Sequence, residues 1–155
     1  MESDRIQHLV DGLRKAGLRV TMPRLAICRV LAQSREHPTA VQLHAQLRQQ
    51  FPSLSLATIY NTLNALQSLG LVHDLGQAGD GQKHFDANTS PHANLICVRC
   101  HQIRDLDDRA LERIRDRVSL RSGYRILGAR IAYYGICPEC KRQEDSNTAR
   151  PAASE

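Results

Sequence analysis

Two Cys-x-x-Cys pairs, Cys97/Cys100 and Cys137/Cys140, are the residues of this 155-residue chain whose type and spacing most directly specify chemistry. Each pair can sit on a turn at one end of a strand. Four thiolates then complete a closed tetrahedral zinc site with no open position for substrate, so its Zn(II) would be structural. The competing reading, four unrelated buried or redox-active cysteines, needs two matched spacings to arise by accident. The fifth cysteine, Cys28, lies among Ile27, Val30 and Leu31 and reads as a buried, inert thiol rather than a sensor. Further ligands surround the first pair: the stretch PHANLICVRC places His92 five residues before Cys97, with Asn94 between them. His37, Asp86 and Asp105 add imidazole and carboxylate groups, a donor set that suits Fe(II), Mn(II) or Zn(II). Spacing alone does not unite these residues, and any one histidine is more often an ordinary core or surface group.

A second kind of chemistry is written in SLSLATIYNTLNALQSLG. Leu56, Ile59, Leu63, Leu66 and Leu69 recur at three- and four-residue steps, so one helix face belongs to a core. Opposite them stand Ala57, Thr58, Tyr60, Asn61, Thr62 and Asn64, which are small or amide-bearing and uncharged. Asn can pair bidentately with adenine, and Ala or Thr can touch a thymine methyl. The pattern fits a recognition helix in an A/T-rich major groove, and equally a polar helix face without function.

The elements that must position these groups follow from periodicity. Arg5 to Ala16 sets Ile6, Leu9, Val10 and Leu13 on one helical face, closed by Gly17. Thr21 can cap a second helix, with Leu25, Ile27, Val30 and Leu31 apolar. Thr39 with Gln42 three residues later is a capping-box pattern for a third, whose buried side is Val41, Leu43, Leu47 and Phe51. Ser55 and Gly70 bound the fourth. LVHDLGQAGDGQKHFD then carries two short strand-like runs around a Gly/Asp-rich turn. Helices followed by a small hairpin make a winged helix over residues 1–86. ANTSP, residues 87–91, reads as a hinge. NLICVRCHQIRDL reads as a strand hairpin, Leu111 to Leu120 as an amphipathic helix, and YRILGARIAYYGIC as β-rich. Residues 92–140 therefore form a small αβ domain, and the overall class is α+β. Residues 141–155 are polar and aperiodic, and are expected to be a disordered tail.

Composition narrows the function classes. Apolar residues make up 41% and charged residues 24%, as in a globular chain. No apolar run approaches the roughly 20 residues needed to span a bilayer, and MESDRIQHLV lacks a signal-peptide core, so a cytoplasmic protein without a membrane partner is expected. In that compartment paired cysteines favour metal over disulfides. The net charge of +5 permits an acidic partner. It does not localise one: residues 1–90 hold nine Lys/Arg against seven Asp/Glu, and residues 91–155 twelve against nine.

The pieces KAGLRVTMPR, HPTA, SLATIYNTL, GLV, HFD, ANLICVRC and YYGICPEC stand in this order across residues of roughly 5 to 140. On them the chain resembles the ferric uptake regulator family of metal-dependent bacterial repressors. The resemblance implies a winged-helix DNA-binding domain hinged to an αβ dimerisation domain, and a homodimer on a palindromic double-stranded operator. It implies that Cys97, Cys100, Cys137 and Cys140 hold the structural zinc. It also implies that His37, Asp86, His92 and Asp105 form a regulatory Fe(II) or Mn(II) site bridging the two domains. Tyr60 and Asn61 match base-contacting positions, and Lys15 matches a lysine that approaches the minor groove. No small organic substrate is implied.

Departures from the family pattern bear on the signal. The family usually has histidine where this chain has Asn94, whose amide oxygen ligates more weakly than imidazole. An accessory metal site would use the positions of Pro91, Ala93, Glu112 and Ala129, of which only Glu112 keeps a ligand, so that site is expected to be absent. His101 stands where Gly is common and could replace a missing ligand. Asn61, where iron- and zinc-sensing members usually carry Arg, resembles the peroxide-sensing branch, as do HPTA and the pairing of Asp86 with Asp105. VTMPR looks more like the iron branch. In the peroxide branch, Fe(II) at the regulatory site reacts with H2O2 and oxidises a ligand histidine, and His37 and His92 stand at those positions. The expectation is a peroxide-responsive repressor; an iron- or manganese-responsive uptake repressor is the alternative, with a zinc-responsive one behind it. A metalloenzyme is not expected, because ICPEC lacks the preceding Pro of zinc deaminases and no His-x-Glu occurs. A thiol redox protein would need an exposed low-pKa cysteine.

Overall fold

The computed structural model describes residues 2–126 and 129–148. Four helices come first: α1 (Glu2–Lys15), α2 (Met22–Gln33), α3 (Ala40–Leu47) and α4 (Leu56–Ser68). An antiparallel hairpin, β1 (His73–Gln77) and β2 (Lys83–Asp86), follows as the wing. Leu9, Leu13, Ile27, Leu31, Leu43, Leu47, Ile59, Leu63 and Leu66 pack with Val72 and Phe85 into one core. Helix starts are chemical: Thr21 and Ser55 accept backbone N–H bonds, and Thr39 and Gln42 close a reciprocal capping box. Three expectations of burial fail. Val41 is 48% exposed, since it follows the buried Ala40 onto the outer side of α3. Leu69 is the C-cap of α4 and turns outward. Thr62 is buried, and its hydroxyl donates to the Thr58 carbonyl.

Residues 87–91 connect to a three-stranded sheet of order β4-β3-β5, formed by β3 (Ala93–Cys97), β4 (Ile103–Leu106) and β5 (Ile131–Gly135). The β3–β4 hairpin is antiparallel, while β5 returns parallel to β3 after α5 (Arg109–Ser122). The last element, α6 (Pro138–Thr148), corrects the expectation of disorder from residue 141. This helix lacks an apolar stripe. It starts instead from the second cysteine pair, where the Cys140 N–H donates to Cys137 Sγ and Pro138 occupies the first turn. Glu144 on α6 pairs with Arg99 of the first cysteine turn. Residues 149–155 of that expected tail lie outside the described residues.

The wing leans on the second sheet. Leu75 and Ala78 form a small core with Ile96 and Ile103, and Arg130 donates to the Asp74 carbonyl. His101 Nδ1 bonds the Ala78 carbonyl at 2.7 Å. The same ring fills the space of a Cβ at Gly79, whose φ of +102° also demands glycine.

Candidate metal and nucleic-acid sites

The four cysteines of the paired motifs meet, with sulfurs all within 4.8 Å of one another. Cys97 ends β3, Cys100 lies on its turn, Cys137 follows β5, and Cys140 sits in the first turn of α6. All are free thiols. The Cys100–Cys137 sulfurs are 3.7 Å apart, far beyond a disulfide bond of about 2 Å. Zn–S bonds of about 2.3 Å in a tetrahedron place sulfurs about 3.8 Å apart, so the spacing fits zinc. The backbone N–H groups of Cys100 and Cys137 face Cys97 and hold its thiol down at about 6. Cys140, hydrogen-bonded to Cys137 and crowded by the other sulfurs, is pushed up to about 12. Four clustered thiolates require a cation to offset their mutual repulsion. Cys28 is fully buried in the helical core, where desolvation pushes it up to about 12, in keeping with an inert thiol.

The second cluster draws on four separate segments. His37 lies between α2 and α3, Asp86 ends β2, His92 precedes β3, and Asn94 and Asp105 face each other across the β3–β4 ladder. His37 Nε2 is 2.6 Å from Asp105 Oδ1, and its Nδ1 is 3.6 Å from Asp86 Oδ1. His92 Nε2 lies 2.9 Å from Asp86 Oδ2 and 3.5 Å from Asp105 Oδ1. The Asn94 amide is 3.2 Å from both His92 Nε2 and Asp105 Oδ1. Against the opposing effect of burial, the His37 contact holds the Asp105 carboxyl below the usual carboxylate range. The Asp86 carboxylate pushes His92 up to about 9, overcoming desolvation, with help from the Ser90 carbonyl.

One atom of this cluster is unsatisfied. Asp86 Oδ2 is fully enclosed, and the His92 nitrogen near it lies off the line of a hydrogen bond. A buried carboxylate needs positive charge facing it, which a protonated His92, 2.9 Å away, or a bound cation in place of that proton supplies. The surrounding set of two imidazoles, two carboxylates and an amide matches the preference of Fe(II), Mn(II) or Zn(II). His37 also holds a backbone φ of +49°, a strain of about 1–2 kcal/mol for a non-glycine residue. His101 takes no part: its ring points into the wing turn, so it does not stand in for a missing ligand here.

On α4, Ala57, Tyr60, Asn61 and Asn64 are exposed on one side, opposite the buried leucines. Thr58 is half-buried and its hydroxyl is 2.9 Å from that of Ser55, so it serves the helix start. Lys15 is exposed in the last turn of α1. Sequence reasoning missed His84. It is buried on β2, two residues before Asp86, and its ring bonds the His37 carbonyl. The available signal was its two-residue spacing to Asp86 in the KHFD strand, because residues two apart share a strand face.

The ferric uptake regulator family model matches residues 15–134. The peroxide-responsive repressor PerR of Staphylococcus epidermidis is 36% identical over 138 residues, which cover 89% of this chain and 91% of that protein. The solved Campylobacter jejuni peroxide stress regulator is 28% identical, with a TM-score of 0.69 over 86% of this chain and 97% of its own. The Helicobacter pylori ferric uptake regulator shares the fold, with a TM-score of 0.72 at 21% identity over 91% of this chain and 94% of its own. All three are regulators rather than enzymes. Among the described residues, no helix is long and apolar enough to cross a membrane. With a model match over most of its length, and a winged helix joined to a sheet bearing four clustered cysteines, this chain belongs to the ferric uptake regulator family.

Proposed function

We propose that the chain is a metal-responsive transcriptional repressor that binds operator DNA as a homodimer and is released by peroxide. The observation that carries this reading is the His37–Asp86–His92–Asn94–Asp105 cluster, in which residues of the winged helix and of the second sheet approach within hydrogen-bonding distance. Cys97, Cys100, Cys137 and Cys140 hold a structural zinc, and the mixed cluster holds Fe(II) or Mn(II). Because His37 belongs to the first domain and Asp105 to the second, ligation by both fixes the angle between them across the 87–91 hinge. Asn94 presents its amide nitrogen to the cluster; a half-turn of the amide presents its oxygen in the same place. The exposed face of α4, with Tyr60, Asn61, Ala57 and Asn64, enters the major groove, and Lys15 approaches the backbone or minor groove.

Dimerisation is supported by apolar surface on the second domain. Ile114 and Val118 lie one turn apart on α5 and are each 48% exposed, while Leu95 and Tyr133, paired across β3 and β5, are also exposed. Patches of this kind mark interfaces in proteins with otherwise ordinary surfaces.

Fe(II), if bound, would promote cleavage of H2O2 beside a ligand imidazole, with one peroxide oxygen ending on a ring carbon, the other leaving as water, and the ring supplying the net two electrons. His37 and His92 are the oxidisable ligands, and oxidation of either removes a donor from the inter-domain link. The similarity to peroxide-responsive relatives favours this signal over iron or manganese supply. The test is operator binding by the Fe(II)-loaded protein before and after equimolar H2O2. Binding is expected to be lost, with the mass of one oxygen atom added to a peptide containing His37 or His92. Retained operator binding, or no added oxygen, would leave an iron- or manganese-responsive repressor as the reading.

A further inference from the structure

We infer that His84 is a positioning residue for the regulatory metal site: it grips the backbone of His37 and anchors that grip on Asp80 of the wing turn. The inference rests on the regulatory-site reading given above. His84 Nδ1 lies 2.8 Å from the His37 carbonyl oxygen, which can only accept, so the ring donates. Its Nε2 lies 2.9 Å from Asp80 Oδ2. Both histidines are buried, and a buried carbonyl left without this donor would be a cost of its own.

The grip acts on a backbone held in the left-handed region. His37 is one of two non-glycine residues with positive φ among the described residues, and it immediately precedes Pro38. Outliers of this kind persist only where surrounding contacts over-determine them. Here those contacts come from one strand: Phe85 N–H donates to the Pro38 carbonyl, Thr39 bridges His84, and His84 holds His37 itself. Asp86 is two residues further along β2 and therefore on the same side of the strand. A single strand thus holds the backbone of one ligand through His84 and supplies another ligand through Asp86. Since Asp80 sits in the wing turn, the wing and the metal ligand are set by the same side chain.

Groups that orient metal ligands typically cost about 10- to 100-fold in metal affinity when lost. The test is Mn(II) affinity of the full-length, zinc-loaded protein, read by competition with a metallochromic dye and by electron paramagnetic resonance. His84→Phe keeps the ring volume but removes both nitrogens, and is expected to weaken Mn(II) binding by about 10- to 100-fold. His84→Asn restores a donor near the Nδ1 position and is expected to recover most of that affinity, a rescue that mere packing would not give. Mn(II) affinity of His84→Phe within twofold of the parent, or equal losses in both variants, would overturn the inference. Should His84→Phe fail to fold, Asp80→Asn on the exposed wing turn decides: weakened Mn(II) binding supports the anchor, and unchanged binding overturns it. A parent protein with no Mn(II) site sensitive to His37→Ala would instead refute the regulatory-site reading on which the inference stands.

Discussion

At the scale of single residues, Cys97 and His37 carry opposite kinds of information. Cys97 closes a set of four like groups, and its pairing with Cys100, Cys137 and Cys140 could be read from spacing because a CxxC turn presents both sulfurs to one ion. Cys97→Ser is expected to lose the zinc and, with it, the dimer, measured by metal analysis and sedimentation. A zinc-free dimer of unchanged stability would refute the structural role. His37 was legible only through resemblance, since its partners lie 49 to 68 residues away along the chain. Nor could any spacing show that Asp86 Oδ2 would be enclosed without an aligned donor. His84 escaped altogether, because a histidine in a short strand looks like any other alternating residue until its ring is found against a carbonyl.

At the scale of elements, the helices begin where local chemistry says they must. Thr21, Thr39 and Ser55 each accept a backbone N–H that the first turn would leave unpaired. The Thr39–Gln42 box also sets the start of α3 three residues after His37, so a structural cap and a site residue share one short loop. Thr39→Ala is expected to cost about 1 kcal/mol, and to lower the thermal midpoint of the zinc-loaded protein by about 2–4 °C. A midpoint unchanged within error would show that the box does not limit α3. Side-chain burial was harder to read than helix ends. Val41 and Leu69 are apolar yet face outward: the 3.6-residue rotation carries Val41 beyond the arc that packs, and Leu69 lies past the last turn of α4 as its C-cap. α6 failed in the other direction: it starts at the cysteine turn and pairs with Arg99, and neither contact leaves a periodic trace.

At the scale of the whole molecule, the described residues of the winged helix and the second sheet meet at two places: the mixed cluster and the wing contact formed by Leu75, Ala78 and His101 against the second sheet. Only the first brings together imidazole and carboxylate groups from both sides, so under the proposed function it is where a signal would change the domain angle. His37→Ala is expected to keep the structural zinc and the dimer but to lose Mn(II)-dependent operator binding. The check is fluorescence anisotropy on duplexes selected in vitro with the Mn(II)-loaded parent. Allosteric coupling of about 1–3 kcal/mol corresponds to about 5- to 150-fold in operator affinity, which sets the size of the expected loss. Unchanged metal dependence would sink the bridging role. What the sequence determined by itself was the fold class, the helix caps, the four-cysteine set and the polar face of α4, all properties of local spacing and periodicity. Only the tertiary structure decided which scattered imidazole and carboxylate groups converge, which apolar residues stay exposed, and that the His84 ring bonds the His37 carbonyl. Those outcomes depend on contacts between segments distant in the chain, and no local pattern encodes the distance between them.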